Sequence, residues 1–234
     1  MTELDRRAAL ALTAVAGATL GGLLLPELAR AKAKGGEDVP ANEDLMREHG
    51  VLRRILILYR EAVPRIERRP LEVDPRSLGA AAALFRDFGA QYHEQIEEQY
   101  VFPAIRKDPG NAALADLLIA QHKRGREITA YIIDKANGGV LGAADAAPLA
   151  IAMTEFCRMY EAHAAREDTV VFPFFKKTLS TSQYGELSGK FERIERQQFG
   201  GDGFDMAVDR IGKLEAAFGI GDLSGFTAAP PRPA

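Results

Sequence analysis

The chain has 234 residues, a formal net charge of -3 and 47% hydrophobic residues, so it can bury a sizeable core in one domain with appendages. It carries no basic stripe and no tryptophan, which argues against nucleic acid as a partner and against stacking platforms for single strands. Its single cysteine, Cys157, excludes an intramolecular disulfide and a cysteine-based zinc or iron–sulfur site; set between Phe156 and Tyr160, it reads as a small core residue.

Residues 1–33 read as an address rather than as fold. Arg6-Arg7 precedes an uncharged stretch from Ala8 to Leu25, and Ala29-Arg30-Ala31 and Ala31-Lys32-Ala33 offer small-x-small cleavage patterns. This is the layout of a twin-arginine export signal, and it predicts a periplasmic or otherwise exported mature protein. An N-terminal membrane anchor is the alternative. Residues 34–41, with Gly35-Gly36 and Pro40, read as a linker.

A first helix is expected after a cap at Asn42 or Asp44, with Leu45, Met46, His49, Leu52, Leu56 and Leu58 at helical spacing and Pro64 near its end. Ser77 can cap a second, running through Phe85, Phe88, Tyr92, His93 and Glu97 toward Pro103. Asp108-Pro109-Gly110-Asn111 is a turn. A third helix spans 112–136 through Leu118, His122 and Ile132, and ends at Asn137-Gly138-Gly139. A fourth starts near Ala144 and passes Met153, Phe156, Tyr160, His163 and Glu167. No stretch alternates like a strand, so the fold class is all-α. Long amphipathic helices with short connections predict an up-down-up-down four-helix bundle over 42–180. Two extra C-terminal helices are expected within 181–220, broken at Gly200-Gly201, and 221–234 reads as a disordered Pro- and Ala-rich tail.

The chemistry is concentrated in a repeat. His93 is followed by Glu97 and by Val101-Phe102-Pro103; His163 is followed by Glu167 and by Val171-Phe172-Pro173. Four residues make about one helical turn, so each His and Glu share a helix face. The remaining two of the four histidines, His49 and His122, each precede one copy by about forty residues. In an up-down-up-down bundle the two half-sequences are related by a pseudo-twofold axis, which turns the sequence pattern into a set of metal ligands around one interior point. Any one helix histidine alone is more simply a core or surface residue; the combined pattern is not explained that way.

Glu48-His49, His93-Glu94-x2-Glu97, His122 and His163-x3-Glu167 together resemble the hemerythrin-like HHE cation-binding family over residues 44–177. Respiratory hemerythrins use five histidines and two bridging carboxylates; this chain has Arg126 where they place a second third-helix histidine, and Asp168 where their fourth-helix acid lies. The carboxylate-rich branch of the family is the closer match. The resemblance implies two iron ions with an oxo or hydroxo bridge: His49 and His93 on one iron, His122, His163 and Glu94 on the other, and Glu97 and Glu167 bridging. Asp168 in place of Glu167, and zinc, manganese or copper in place of iron, are the alternatives.

Counting those ligands against two six-coordinate ions leaves about one position open, on the iron that lacks Glu94. That suits a small diatomic ligand or peroxide. The implied functions are oxygen or nitric oxide binding or sensing, a di-iron peroxidase or oxidase with an electron donor as partner, or iron storage and sensing. Tyr92 and Tyr160 stand near the histidines as core aromatics or partners of ligands, and Arg126 is expected to face solvent.

Overall fold

The computed structural model describes residues 39–231. The expected signal segment 1–33 and most of the expected linker lie outside the described residues. Six helices follow one another: α1 (Ala41–Arg68), α2 (Pro75–Leu84, continuing without a break to Ile105), α3 (Ala112–Asn137), α4 (Ala143–Arg166, continuing to Lys177), α5 (Thr181–Phe199) and α6 (Gly203–Phe218). No strand occurs among the described residues, and none of their helices is long and apolar enough to cross a membrane.

The first four helices close on one another: α1 packs on α4, α4 on α3, α3 on α2, and α2 on α1. Inside lie Ile55, Leu58, Tyr59, Phe85, Phe88, Ile132, Met153 and Phe156, all essentially inaccessible. Each such side chain contributes about 1.5–3 kcal/mol by leaving water, so this helical bundle is a rigid frame for whatever polar groups it encloses.

Two local features differ from the expected helices. The first is capping. Asn42 and Asp44 do not cap α1, which starts at Ala41 with no side-chain cap. Its free first-turn amides are met instead from α5: Ala41 N–H donates to Ser188 Oγ at 2.9 Å and Asn42 N–H to the Tyr184 hydroxyl at 2.9 Å. Helix α2 starts at Pro75, capped by Asp74 rather than Ser77. The second is pitch. Helices α2 and α4 contain wide π-helical turns at Phe85–His93, Glu97–Val101 and Glu167–Val171. The last two sit just ahead of Pro103 and Pro173. A proline has no N–H to donate and its ring crowds the carbonyl four residues back, so a widened turn there relieves a conflict that would otherwise cost about 3 kcal/mol.

Helices α5 and α6 pack against α1 and α2, and bury Phe191 and Ile211. Helix α5 opens with a reciprocal cap between Ser180 and Gln183 and ends at Gly200, whose φ of 72° favours glycine. Within the expected tail, Leu223–Phe226 forms a single 3-10 turn.

Candidate metal centre

The four imidazoles and two glutamates of the repeat meet inside the bundle. His49, His93, His122, His163, Glu97 and Glu167 are all at most 3% exposed. Glu97 turns one oxygen to each histidine pair: Oε1 lies 3.3 Å from His93 Nε2 and 4.0 Å from His49 Nε2, and Oε2 lies 3.4 Å from His122 Nε2. Glu167 does the same, with Oε1 3.1 Å from His163 Nε2 and Oε2 3.3 Å from His49 Nε2. None of these four carboxylate oxygens accepts a well-formed hydrogen bond.

The other ring nitrogen of every histidine is tied outward. His49 Nδ1 meets Asp168 at 2.7 Å, His93 Nδ1 meets Glu48 at 2.6 Å, His122 Nδ1 meets Glu98 at 3.0 Å and His163 Nδ1 meets the Gln121 side-chain oxygen at 2.9 Å. Each partner is an acceptor, so Nδ1 carries the proton, which leaves Nε2 as the nitrogen that would offer its lone pair to a cation at the centre. The partners repeat like the ligands. The residue before His49 or His122 holds a histidine on a neighbouring helix, and the residue after Glu97 or Glu167 does likewise. Val-Phe-Pro has its place too: Phe102 packs on the His122 ring at 5.4 Å and Phe172 stacks on His49 at 5.5 Å.

This donor set fits a pair of cations. Donors about 2.1 Å from a common ion and at right angles to each other are about 3.0 Å apart, close to the separations here. His122 Nε2 and His163 Nε2 are only 3.0 Å apart, an arrangement that two lone pairs tolerate only with a proton or cation between them. Donor atoms from Glu97, His122, His163 and Glu167 all lie within 4.8 Å of one another, as do those of His49, His93 and Glu97.

The family match decides the reading: residues 41–175 match the hemerythrin HHE cation binding domain. The chain belongs to that family. Uncharacterized proteins of Mycobacterium bovis and of two Mycobacterium tuberculosis strains are each 40% identical to it over 190 residues, covering 81% of this chain and 74% of theirs. No solved structure matches it.

Within this HHE centre Glu94 stands apart from the other predicted ligands. Its Oε1 accepts from the Tyr160 hydroxyl at 2.6 Å and its Oε2 lies 2.9 Å from Arg126. It neighbours His122 and Glu98. Arg126 does not simply face solvent, as expected; it reaches both Glu94 and, at 2.5 Å, Glu98. Arg53, one turn after His49, pairs in the same way with Asp168. Asp168 is therefore placed behind His49, and Glu167 is the residue that reaches the centre. Tyr92 is buried between Phe88 of its own helix and Phe199 of α5, with no hydrogen bond to its hydroxyl.

Protons and carboxylates hold one another in the metal-free centre. Burial opposes imidazole protonation, yet the facing acids outweigh it. His122 is held up at about 10 by the facing carboxylates of Glu97 and Glu98. His93 is raised well above its ordinary value by Glu97 and Glu48, and His49 is raised by Asp168 and Glu167. Burial likewise favours neutral Glu97 and Glu167, but the histidines keep both below the usual range, Glu97 by far the more. A cation entering this centre takes the place of those protons.

A cavity of about 10 Å³ adjoins the ligands, with Leu52, Arg53, Leu56, Tyr160 and Ala164 as its other walls. That is space for about one water-sized molecule.

Proposed function

We propose that this chain is a non-haem di-iron protein that takes a diatomic ligand or peroxide at one side of its centre. The observation that carries the reading is the pair of buried glutamates without hydrogen bonds, Glu97 and Glu167, each with one oxygen toward either histidine pair. The proposed frame is the up-down-up-down bundle. His49 and His93 hold one iron, His122, His163 and Glu94 the other, and Glu97 and Glu167 join them. An iron pair so held supplies one-electron redox chemistry and a position for a small ligand.

The protein's own groups supply the rest. Asp168, Glu48, Glu98 and Gln121 fix the imidazole tautomers and raise their basicity. Leu52, Leu56 and Ala164 give the cavity apolar walls, and its size admits only a molecule about as small as water. The oxygen-rich donor set lowers the potential relative to a histidine-rich one, which favours oxidation chemistry over reversible carriage.

The test is metal analysis with anaerobic reduction and reoxidation followed by absorption. Close to two irons per chain and a new charge-transfer band with azide are expected; one zinc per chain without iron-dependent absorption refutes the reading. Export belongs to the same proposal. Replacing Arg6-Arg7 by Lys-Lys should trap a precursor inside the cell, and native cytoplasmic protein with an intact N-terminus would overturn it.

A further inference from the structure

The two halves of the centre differ at one matched set of three positions. On one side stand Glu94, Tyr160 and Gly125; their counterparts in the repeat are Ala164, Ala90 and Leu52. These positions correspond because His49 and Glu97 map onto His122 and Glu167.

The polar three are built around each other. The buried Tyr160 hydroxyl donates to Glu94 at 2.6 Å, and the other carboxylate oxygen, which accepts no hydrogen bond, lies 2.9 Å from the Arg126 guanidinium. Gly125 is what makes room: a Cβ there would lie 1.9 Å from the Tyr160 hydroxyl oxygen and 2.6 Å from its ring. The tyrosine is further gripped by Phe85 and Phe156, with ring centroids 4.8 and 4.7 Å away. On the other side Leu52 fills the space that Gly125 leaves open here, and Ala164 offers no donor. Leu52 and Ala164 wall the cavity beside the ligands from this side, and Tyr160 and Glu94 from the other.

We infer that Tyr160, seated by Gly125, is a positioning residue that locks Glu94 onto the ion of His122 and His163, and that this lock fixes which of the two metal positions is closed and which stays open. The inference rests on the two-metal reading above. A free glutamate at position 94 would rotate between metal, Arg126 and cavity. With Tyr160 bonded to one oxygen and the Arg126 charge beside the other, it keeps a single orientation, and the oxygen that accepts no hydrogen bond is the one left for a metal ion.

Cobalt(II) titration of the metal-free full chain, followed by ligand-field absorption, tests this without relying on iron or on any activity. The parent is expected to bind two equivalents. In Tyr160→Phe the ring packing stays and only the hydroxyl is lost, so one binding step should weaken about tenfold or more while the other is unchanged. Gly125→Ala, which displaces the ring, should weaken the same step; if that variant does not fold, Tyr160→Phe decides alone. A Tyr160→Phe titration superimposable on the parent's, or one in which both steps weaken alike, overturns the lock and leaves the two-metal centre standing. A parent that binds no cobalt overturns the two-metal reading, and the lock with it.

Discussion

Glu97→Gln is the substitution that most directly probes the bridge. The amide keeps the shape and removes the charge, and Glu97 is the counter-charge that both His93 and His122 face, at 3.3 and 3.4 Å. Losing a group that only orients a metal ligand costs about 10–100-fold in affinity. Glu97 faces both histidine pairs, so the product of the two binding constants should fall by at least about 10²–10⁴, or about 2.7–5.5 kcal/mol. The metal-free protein should suffer as well. Removing one partner from a buried charged cluster costs about 3–5 kcal/mol, which in a chain of this size is about 6–20 °C in Tm. Glu94→Gln is the control, because Glu94 groups with one histidine, His122, beside Glu98, and is already bonded to Tyr160 and paired with Arg126. Metal content after reconstitution, with thermal unfolding before and after loading, separates the two variants. Equal metal loss in both would refute the bridging assignment.

The shifted groups predict two pH effects. His122, raised from 6.5 to about 10 in the folded chain, contributes stability that is complete below about 6.5 and lost as pH rises through 10. Glu97 and Glu167, lowered from 4.5, contribute stability present above about 4.5 and lost as pH falls through their folded values. Calorimetry of metal-free protein should therefore show highest stability near pH 5–6.5 and a decline toward pH 10; a flat alkaline limb would contradict the histidine pairing. Glu195 is pushed by burial from 4.5 to about 7, so its folded form favours the proton and its stabilising effect is lost as pH rises through 7. Glu195→Gln, still able to accept the Phe204 N–H now bonded at 2.8 Å, should gain at most about 3 kcal/mol at pH 8 and almost nothing at pH 4, by denaturant unfolding.

The convergence of these side chains was legible because spacing alone carries it. His93 and Glu97, or His163 and Glu167, share a face whatever surrounds them, and the duplicate makes chance a poor explanation. The groups behind the ligands were not read, because each serves a histidine on a different helix. Glu48 serves His93, Gln121 serves His163 and Glu98 serves His122. In a regular helix, successive residues point about 100° apart, so a residue beside a ligand reads as facing elsewhere. The π-helical turns at Glu97–Val101 and Glu167–Val171 change that spacing locally. A signal did exist: an acceptor precedes both His49 and His122, and an acid follows both Glu97 and Glu167. The cap of α1 was out of reach for another reason. Its partners, Tyr184 and Ser188, lie more than 140 residues away, and only packing brings them there. Arg126 was misplaced because a charged residue one turn from a ligand usually finds solvent, whereas here the buried Glu94 draws it inward.

The broken symmetry leads to the last prediction. If the open position exists because Ala164 and Leu52 replace a glutamate and a glycine, restoring those two residues should close it. Ala164→Glu alone has a cavity of only about 10 Å³ to enter, with Leu52 on its wall, so the new side chain would meet a packed neighbour. Leu52→Gly removes that neighbour. It also discards a largely buried leucine, at about 2–5 kcal/mol before the new glutamate refills part of the space, plus about 1 kcal/mol for glycine in a helix. The double variant Leu52→Gly/Ala164→Glu should thus be less stable yet still hold two metal ions, and azide should no longer generate a new charge-transfer band in its ferric form. Leu52→Gly alone is the control, and should bind azide at least as well as the parent because its cavity is larger. If the double variant retains two irons and binds azide like the parent, the open position lies elsewhere, and the contrast between Glu94 and Ala164 does not set the asymmetry of the centre.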